Sequence, residues 1–153
     1  MRLYPRLVTT TALAVLVGLV SAAPASADTR FGIRGGIYTD PTDAFAGVEL
    51  LVPISSQIYV NPNVEYIFRD NATYMTFNGD FHYDFHTHGP YVWIGAGLAV
   101  IYRNPDGPVD SNTDVGANFL FGIGAKGRVI PYVQAKLIVK DNTQFSIAAG
   151  LRF

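Results

Sequence analysis

The side chains best suited to chemistry form one dense group: His82, His86 and His88, with Asp80 and Asp84 between and before them. In an extended segment His86-x-His88 puts two imidazoles on one face, the beginnings of a zinc or nickel clip. No third ligand stands at the spacing of a known site, so the residues favour solvated histidines at a strand end, with no metal and no cofactor assigned. Gly122-x-Gly124-x-x-Gly127 has the spacing of a dinucleotide-binding turn. That turn must open a helix, whereas the residues after Gly127 form a strand-like run containing Pro131. A hydrolase needs a nucleophilic serine with a histidine in reach. Ser111 falls in a loop expected at the opposite end from all three histidines, so no catalytic residue is assigned. A second set carries charge instead: Arg34, Glu49, Glu65, Asp80, Lys136 and Arg152. If these share the inside of a narrow tube they must pair. The expected arrangement is a network in which Glu49 and Glu65 meet Arg34, Arg152 or Lys136 and block free passage of ions. Asp84, Arg69 and Lys140 are expected as rim charges in water.

The elements that would hold such a set are legible in the alternation. Gly, Pro, Asn and Asp divide the chain after residue 28 into eight runs: 29–38, 44–54, 58–69, 73–86, 91–103, 113–125, 129–140 and 144–153. Each is long enough for a tilted membrane strand, which takes about 9–11 residues. In the fourth, Thr73, Met75, Phe77, Gly79, Phe81, Tyr83 and Phe85 alternate with Tyr74, Thr76, Asn78, Asp80, His82, Asp84 and His86. A period of two held that long excludes a helix. Pro62 interrupts the third run and is expected at a bulge or near a rim. The longest connection is expected over Asn104 to Asn112. An even number of runs joined by tight turns predicts an all-β fold, an eight-stranded antiparallel up-and-down transmembrane β-barrel.

Composition agrees with export. Arg2 and Arg6, the apolar stretch Thr11 to Val20 and Ala25-Ser26-Ala27 have the order of a secretory signal peptide over residues 1–27, leaving 28–153 as the barrel. The apolar stretch is too short to span a bilayer, which takes about 20 residues. Without residues 1–27, nine basic side chains face twelve acidic ones, a formal net charge of about −3. Nucleic acid is excluded as a partner, since no basic patch exists to release counterions. There is no cysteine, so stability must come from packing and hydrogen bonds. Of the whole chain 49% is hydrophobic and only 15% charged, yet no long apolar run comes after the signal. A membrane barrel has that balance, because only every second residue meets lipid.

Alternation alone does not say which face is inside. A soluble periplasmic lipocalin-like barrel would turn the apolar face inward. Residue size favours the membrane orientation. Glycines at 32, 36, 47, 95, 97, 116, 122, 124 and 150 share the polar face and suit a narrow interior, while phenylalanines crowd the other.

The last run, Gln144 to Phe153, places Phe145, Ile147, Ala149, Leu151 and Phe153 on one apolar face. This terminal pattern resembles the closing-strand signal of bacterial outer-membrane barrels. With Tyr91-Val92-Trp93-Ile94-Gly95-Ala96-Gly97 and Asp80-Phe81-His82-Tyr83-Asp84-Phe85, the chain is similar to the small eight-stranded group that includes the OmpA membrane domain and OmpX. Its outer connections are shorter than theirs, which argues against an adhesin-like role. The resemblance implies a non-enzymatic, monomeric integral protein of the cell outer membrane, with a structural or interaction role or minor solute passage. Its implied partners are outer-membrane lipid and lipopolysaccharide, and the barrel-assembly machinery acting on Phe145, Ile147, Leu151 and Phe153. An outer-membrane enzyme modifying lipid A is the alternative within the same group.

Overall fold

The computed structural model describes residues 29–70, 72–85, 87–105 and 110–153. The signal peptide expected over 1–27 lies outside the described residues, as do His86 and the central part of the fifth connection. Eight strands succeed one another: β1 (Arg30–Thr39), β2 (Thr42–Pro53), β3 (Ile58–Arg69), β4 (Ala72–Phe85), β5 (Tyr91–Pro105), β6 (Asn112–Gly124), β7 (Ile130–Val139) and β8 (Gln144–Arg152). Each pairs antiparallel with the next, and β8 closes on β1 from Gly32↔Arg152 to Tyr38↔Ser146. Closure leaves no sheet edge, which hydrocarbon would punish with unpaired backbone groups. The strands match the alternating runs to within two residues. The long connection is shorter than expected, because β5 and β6 zip as far as Arg103↔Asn112.

Carried once round the wall, the eight registers return to β1 ten residues along it. Strands staggered in this way tilt, by about 35–45° in barrels generally, and a wall of eight leaves an interior that side chains alone can fill. Arg30 and Phe153 mark the proximal end of the barrel, and the β1–β2, β3–β4, β5–β6 and β7–β8 connections mark the distal end.

Burial is inverted relative to a water-soluble barrel. Phe31, Phe68, Phe81, Phe119, Phe121, Leu98 and Val115 stand on the outside, while Glu65, Asp80, Asn61, Asn78 and Asn118 are completely buried within. Phe145, Ile147, Leu151 and Phe153 all point outward from β8, and the Phe153 amide donates to the Phe31 carbonyl at 2.8 Å. The soluble alternative fails here, since it needs the phenylalanines inside.

Pro62 lies in mid-strand, at neither a bulge nor a rim. β2 and β3 keep one register on both sides of it, from Glu49↔Asn63 to Val52↔Val60. Proline has no N–H for the Leu50 carbonyl opposite. Asn61 supplies the replacement, its Nδ2 donating to the Leu50 carbonyl at 2.8 Å.

Candidate functional site

The charged set converges at mid-height in the lumen. Glu65, on β3, is wholly buried and is the hub. It accepts from Arg34 Nη2 of β1 and from the Tyr38 hydroxyl, from Thr76 Oγ1 at 3.0 Å, and from Lys136 Nζ of β7 at 2.9 and 3.0 Å. Arg34 Nη1 also reaches Glu49 Oε2 of β2 at 3.4 Å. Glu49 in turn accepts from Arg152 Nε of β8 at 2.7 Å and from Asn61 Nδ2 at 3.1 Å. Asp80 takes no cation as a direct partner: the Asn118 and Asn63 amides donate to it at 2.7 and 3.0 Å. The six side chains expected to form a network therefore divide into five linked ions and one carboxylate held by amides. Three cations and three carboxylates leave this section neutral, which limits the desolvation cost of burying them.

Inward glycines make the space. A Cβ on Gly32 would lie 2.7 Å from Glu49 Cγ, and one on Gly150 2.6 Å from the Tyr132 hydroxyl. At Gly122 it would strike the Trp93 ring, 2.6 Å from Nε1.

Two apolar clusters that residue types alone do not reveal flank the polar section. On the distal side Tyr38, Phe45, Ile67, Tyr74, Ile101 and Ile138 pack together. On the proximal side Trp93, Leu120 and Tyr132 do so. The Arg152 guanidinium lies 4.7 Å from the Trp93 ring centre and 4.3 Å from that of Tyr132. Trp93 Nε1 donates to Gln134 Oε1 at 3.2 Å. The signal is present as parity, since Phe45, Trp93, Ile101, Leu120 and Ile138 all occupy the polar-face positions of their strands.

The distal mouth is belted by ion pairs. Arg69 binds Asp43, while Arg103 and Lys140 reach Asp114 at 3.5 and 3.7 Å. Tyr74 lies between the Arg69 and Arg103 guanidiniums, 4.9 and 5.0 Å from its ring centre. Arg69 and Lys140 are thus not free rim charges in water: the Lys140 side chain is only 8% exposed. Asp84 is half-buried at the proximal end.

His82 and His88, the two histidines among the described residues, join no group that could hold a metal ion. His82 has lumen parity and is buried instead of solvated, its ring stacked on Trp93 at 6.0 Å and 12°. Among the described residues neither of its ring nitrogens has a hydrogen-bond partner. His88 is exposed in the turn after β4. Among the described residues no three side chains are placed to hold a metal ion.

No family model and no curated protein matches the chain. Solved structures do. The chain is similar to the N-terminal β-barrel domain of Pseudomonas aeruginosa OprF, with a TM-score of 0.63 at 13% identity over 82% of this chain and 96% of that one. Neisserial surface protein A gives 0.63 at 13% identity, over 81% and 94%. The outer membrane enzyme PagL gives 0.57 at 13% identity, over 81% and 98%. With polar and charged side chains buried in its lumen and an apolar outer wall, the chain has the fold of the eight-stranded outer-membrane β-barrels.

Proposed function

We propose that the chain is an integral protein of the bacterial outer membrane whose lumen is closed to ions, and that it serves a structural or interaction role. The observation that carries this is a neutral charge cluster centred on Glu65 that fills the middle of the lumen, with a cluster of buried apolar side chains on each side of it. An ion entering would have to shed water and break a buried pair at the same height, against two layers with little to solvate it. The distal mouth then faces outward, and the proximal mouth, with the termini of the wall, faces the periplasm. Outer-membrane lipid and lipopolysaccharide contact the outward phenylalanines, the assembly machinery engages β8, and the barrel acts as a monomer.

A non-enzymatic role fits the placement of the reactive groups. A hydrolytic site needs hydroxyl, imidazole and carboxylate in contact. Among the described residues His82 is enclosed without hydrogen-bond partners, His88 sits at the proximal turn, and Ser111 precedes β6 at the distal end.

The test has two arms. Protein from an outer-membrane fraction is expected to migrate anomalously on gels until boiled, as an intact barrel does. In planar bilayers the wild type is expected to add no steady conductance. Glu49→Ala removes the partner of Arg152 and one of the two partners of Arg34, and is expected to add brief openings only, because both apolar clusters remain. Stable conductance steps from the wild type would refute the closed lumen.

A further inference from the structure

The lumen does not end flush at the proximal rim. Beneath the Trp93 layer a blind vestibule of about 250 Å³ opens at that mouth, lined by Arg30, Tyr59, Asp84, Tyr91, Trp93 and Arg152, with Leu51 and Ile130 closing its aliphatic sides. We propose that this vestibule is a binding site for a small organic anion, a monocarboxylate with a flat apolar body.

The floor supplies the anchor. Arg152 is only 3% exposed, and its guanidinium is fixed between the Trp93 and Tyr132 rings. Its Nε and Nη2 face Glu49 at 2.7 and 3.5 Å. A guanidinium has five N–H donors in a rigid fork, so contact with one carboxylate does not exhaust it. An anchor already immobile loses little entropy on binding. Arg30 adds a second guanidinium at the rim, its Nη1 donating to the Arg128 carbonyl at 3.4 Å.

The field has the right sign. Among the described residues this mouth carries Arg30, Lys126 and Arg128 against Asp84, beside the Arg152–Glu49 pair, and Lys126 Nζ lies 5.4 Å from the centre of the Tyr91 ring. The distal connections and rim instead carry Asp40, Asp43, Asp70, Asp110, Asp114 and Asp141 against Arg69, Arg103 and Lys140. An anion is therefore drawn to the proximal mouth and repelled by the distal one.

The walls select the body. Tyr59, Tyr91 and Trp93 offer aromatic surface for a ring to lie against. The volume of about 250 Å³ is enough for one ring with a carboxylate. Asp84 in the same lining penalises a doubly charged phosphate more than a singly charged carboxylate, and a planar carboxylate matches the guanidinium fork.

Trp93 is the only tryptophan in the chain, so its indole N–H gives a single resonance on the vestibule wall. The experiment titrates benzoate, benzylamine and inorganic phosphate against the ¹⁵N-labelled full barrel in detergent micelles, where binding is independent of the membrane in which the protein resides. Benzoate is expected to shift the resonance saturably, benzylamine not at all, and phosphate to bind at least about tenfold more weakly. Arg30→Gln, a rim change that spares the buried network, is expected to weaken benzoate about tenfold, the usual scale for one charge-assisted hydrogen bond. Arg103→Gln at the far mouth is expected to leave it unchanged. A non-saturating shift, equal shifts from benzylamine, or wild-type affinity in Arg30→Gln would overturn the proposal. Phosphate binding as tightly as benzoate would reduce the vestibule to an adventitious ion site only and overturn it as well.

Discussion

Glu65→Gln is the sharpest probe of how the barrel interior is held together. The substitution keeps the side-chain shape and removes one charge from a site with four donors around it: Arg34, Lys136, Tyr38 and Thr76. Gln offers one acceptor oxygen in place of two and presents an NH₂ to groups that are themselves donors. The interior changes from three cations and three carboxylates to an excess of one cation. Breaking a buried pair from one side costs about 3–5 kcal/mol, because the partner left behind stays desolvated. The Asp43–Arg69 pair at the distal rim supplies the control. It is partly exposed, and Asp43→Asn should cost no more than about 1 kcal/mol. Both are measured by urea titration in lipid vesicles, with refolding from the unfolded side to establish equilibrium and Trp93 emission as the signal. Adding Lys136→Met to Glu65→Gln restores charge balance and is expected to recover most of the loss. A Glu65→Gln barrel within about 1 kcal/mol of wild type, or one no weaker than Asp43→Asn, would refute the hub.

The same geometry makes two further outcomes testable. Phe119, near the middle of β6, faces outward and is 54% exposed; Phe119→Arg should cost about 2–4 kcal/mol in vesicles, the scale for a cation near the bilayer midplane, and an unchanged urea midpoint would contradict the membrane-facing wall. Gly122→Val should displace the Trp93 ring, shifting its emission and costing about 1–3 kcal/mol by overpacking, whereas Gly79→Ala should be neutral in the same titration because a Cβ there meets nothing within 4 Å.

Much of this architecture can be read from residue order, and the limits of that reading are physical. Period-two alternation from Thr73 to Phe85 determines which face each residue takes, and turn residues mark where strands end, so the runs and the barrel agree closely. The lumen is harder. Charge complementarity points to Glu49, Glu65, Arg34, Lys136 and Arg152 meeting, but alternation carries no information about height along the axis, which depends on register across eight strands. Asp80 lies level with Asn63 and Asn118, not with a cation, for that reason. The apolar layers escape residue-type reasoning because Ile67, Ile101 and Ile138 break a polar-in rule that holds only on average, and tube sections away from the charges are filled with hydrocarbon. In the sequence His82 has only its chain neighbours for context, whereas its environment in the barrel comes from Trp93 on the next strand.

The Asn61–Pro62 pair has a consequence for how this wall can change over evolutionary time. In water a carbonyl orphaned by proline would find a solvent molecule; facing hydrocarbon it cannot, so the amide beside it acts as a prosthesis. The constraint is one-sided: losing Asn61 while Pro62 remains strands the Leu50 oxygen, whereas restoring an ordinary residue at 62 releases Asn61 from that duty. A proline at 62 is therefore tolerated only beside an amide at 61, while the amide itself needs no proline.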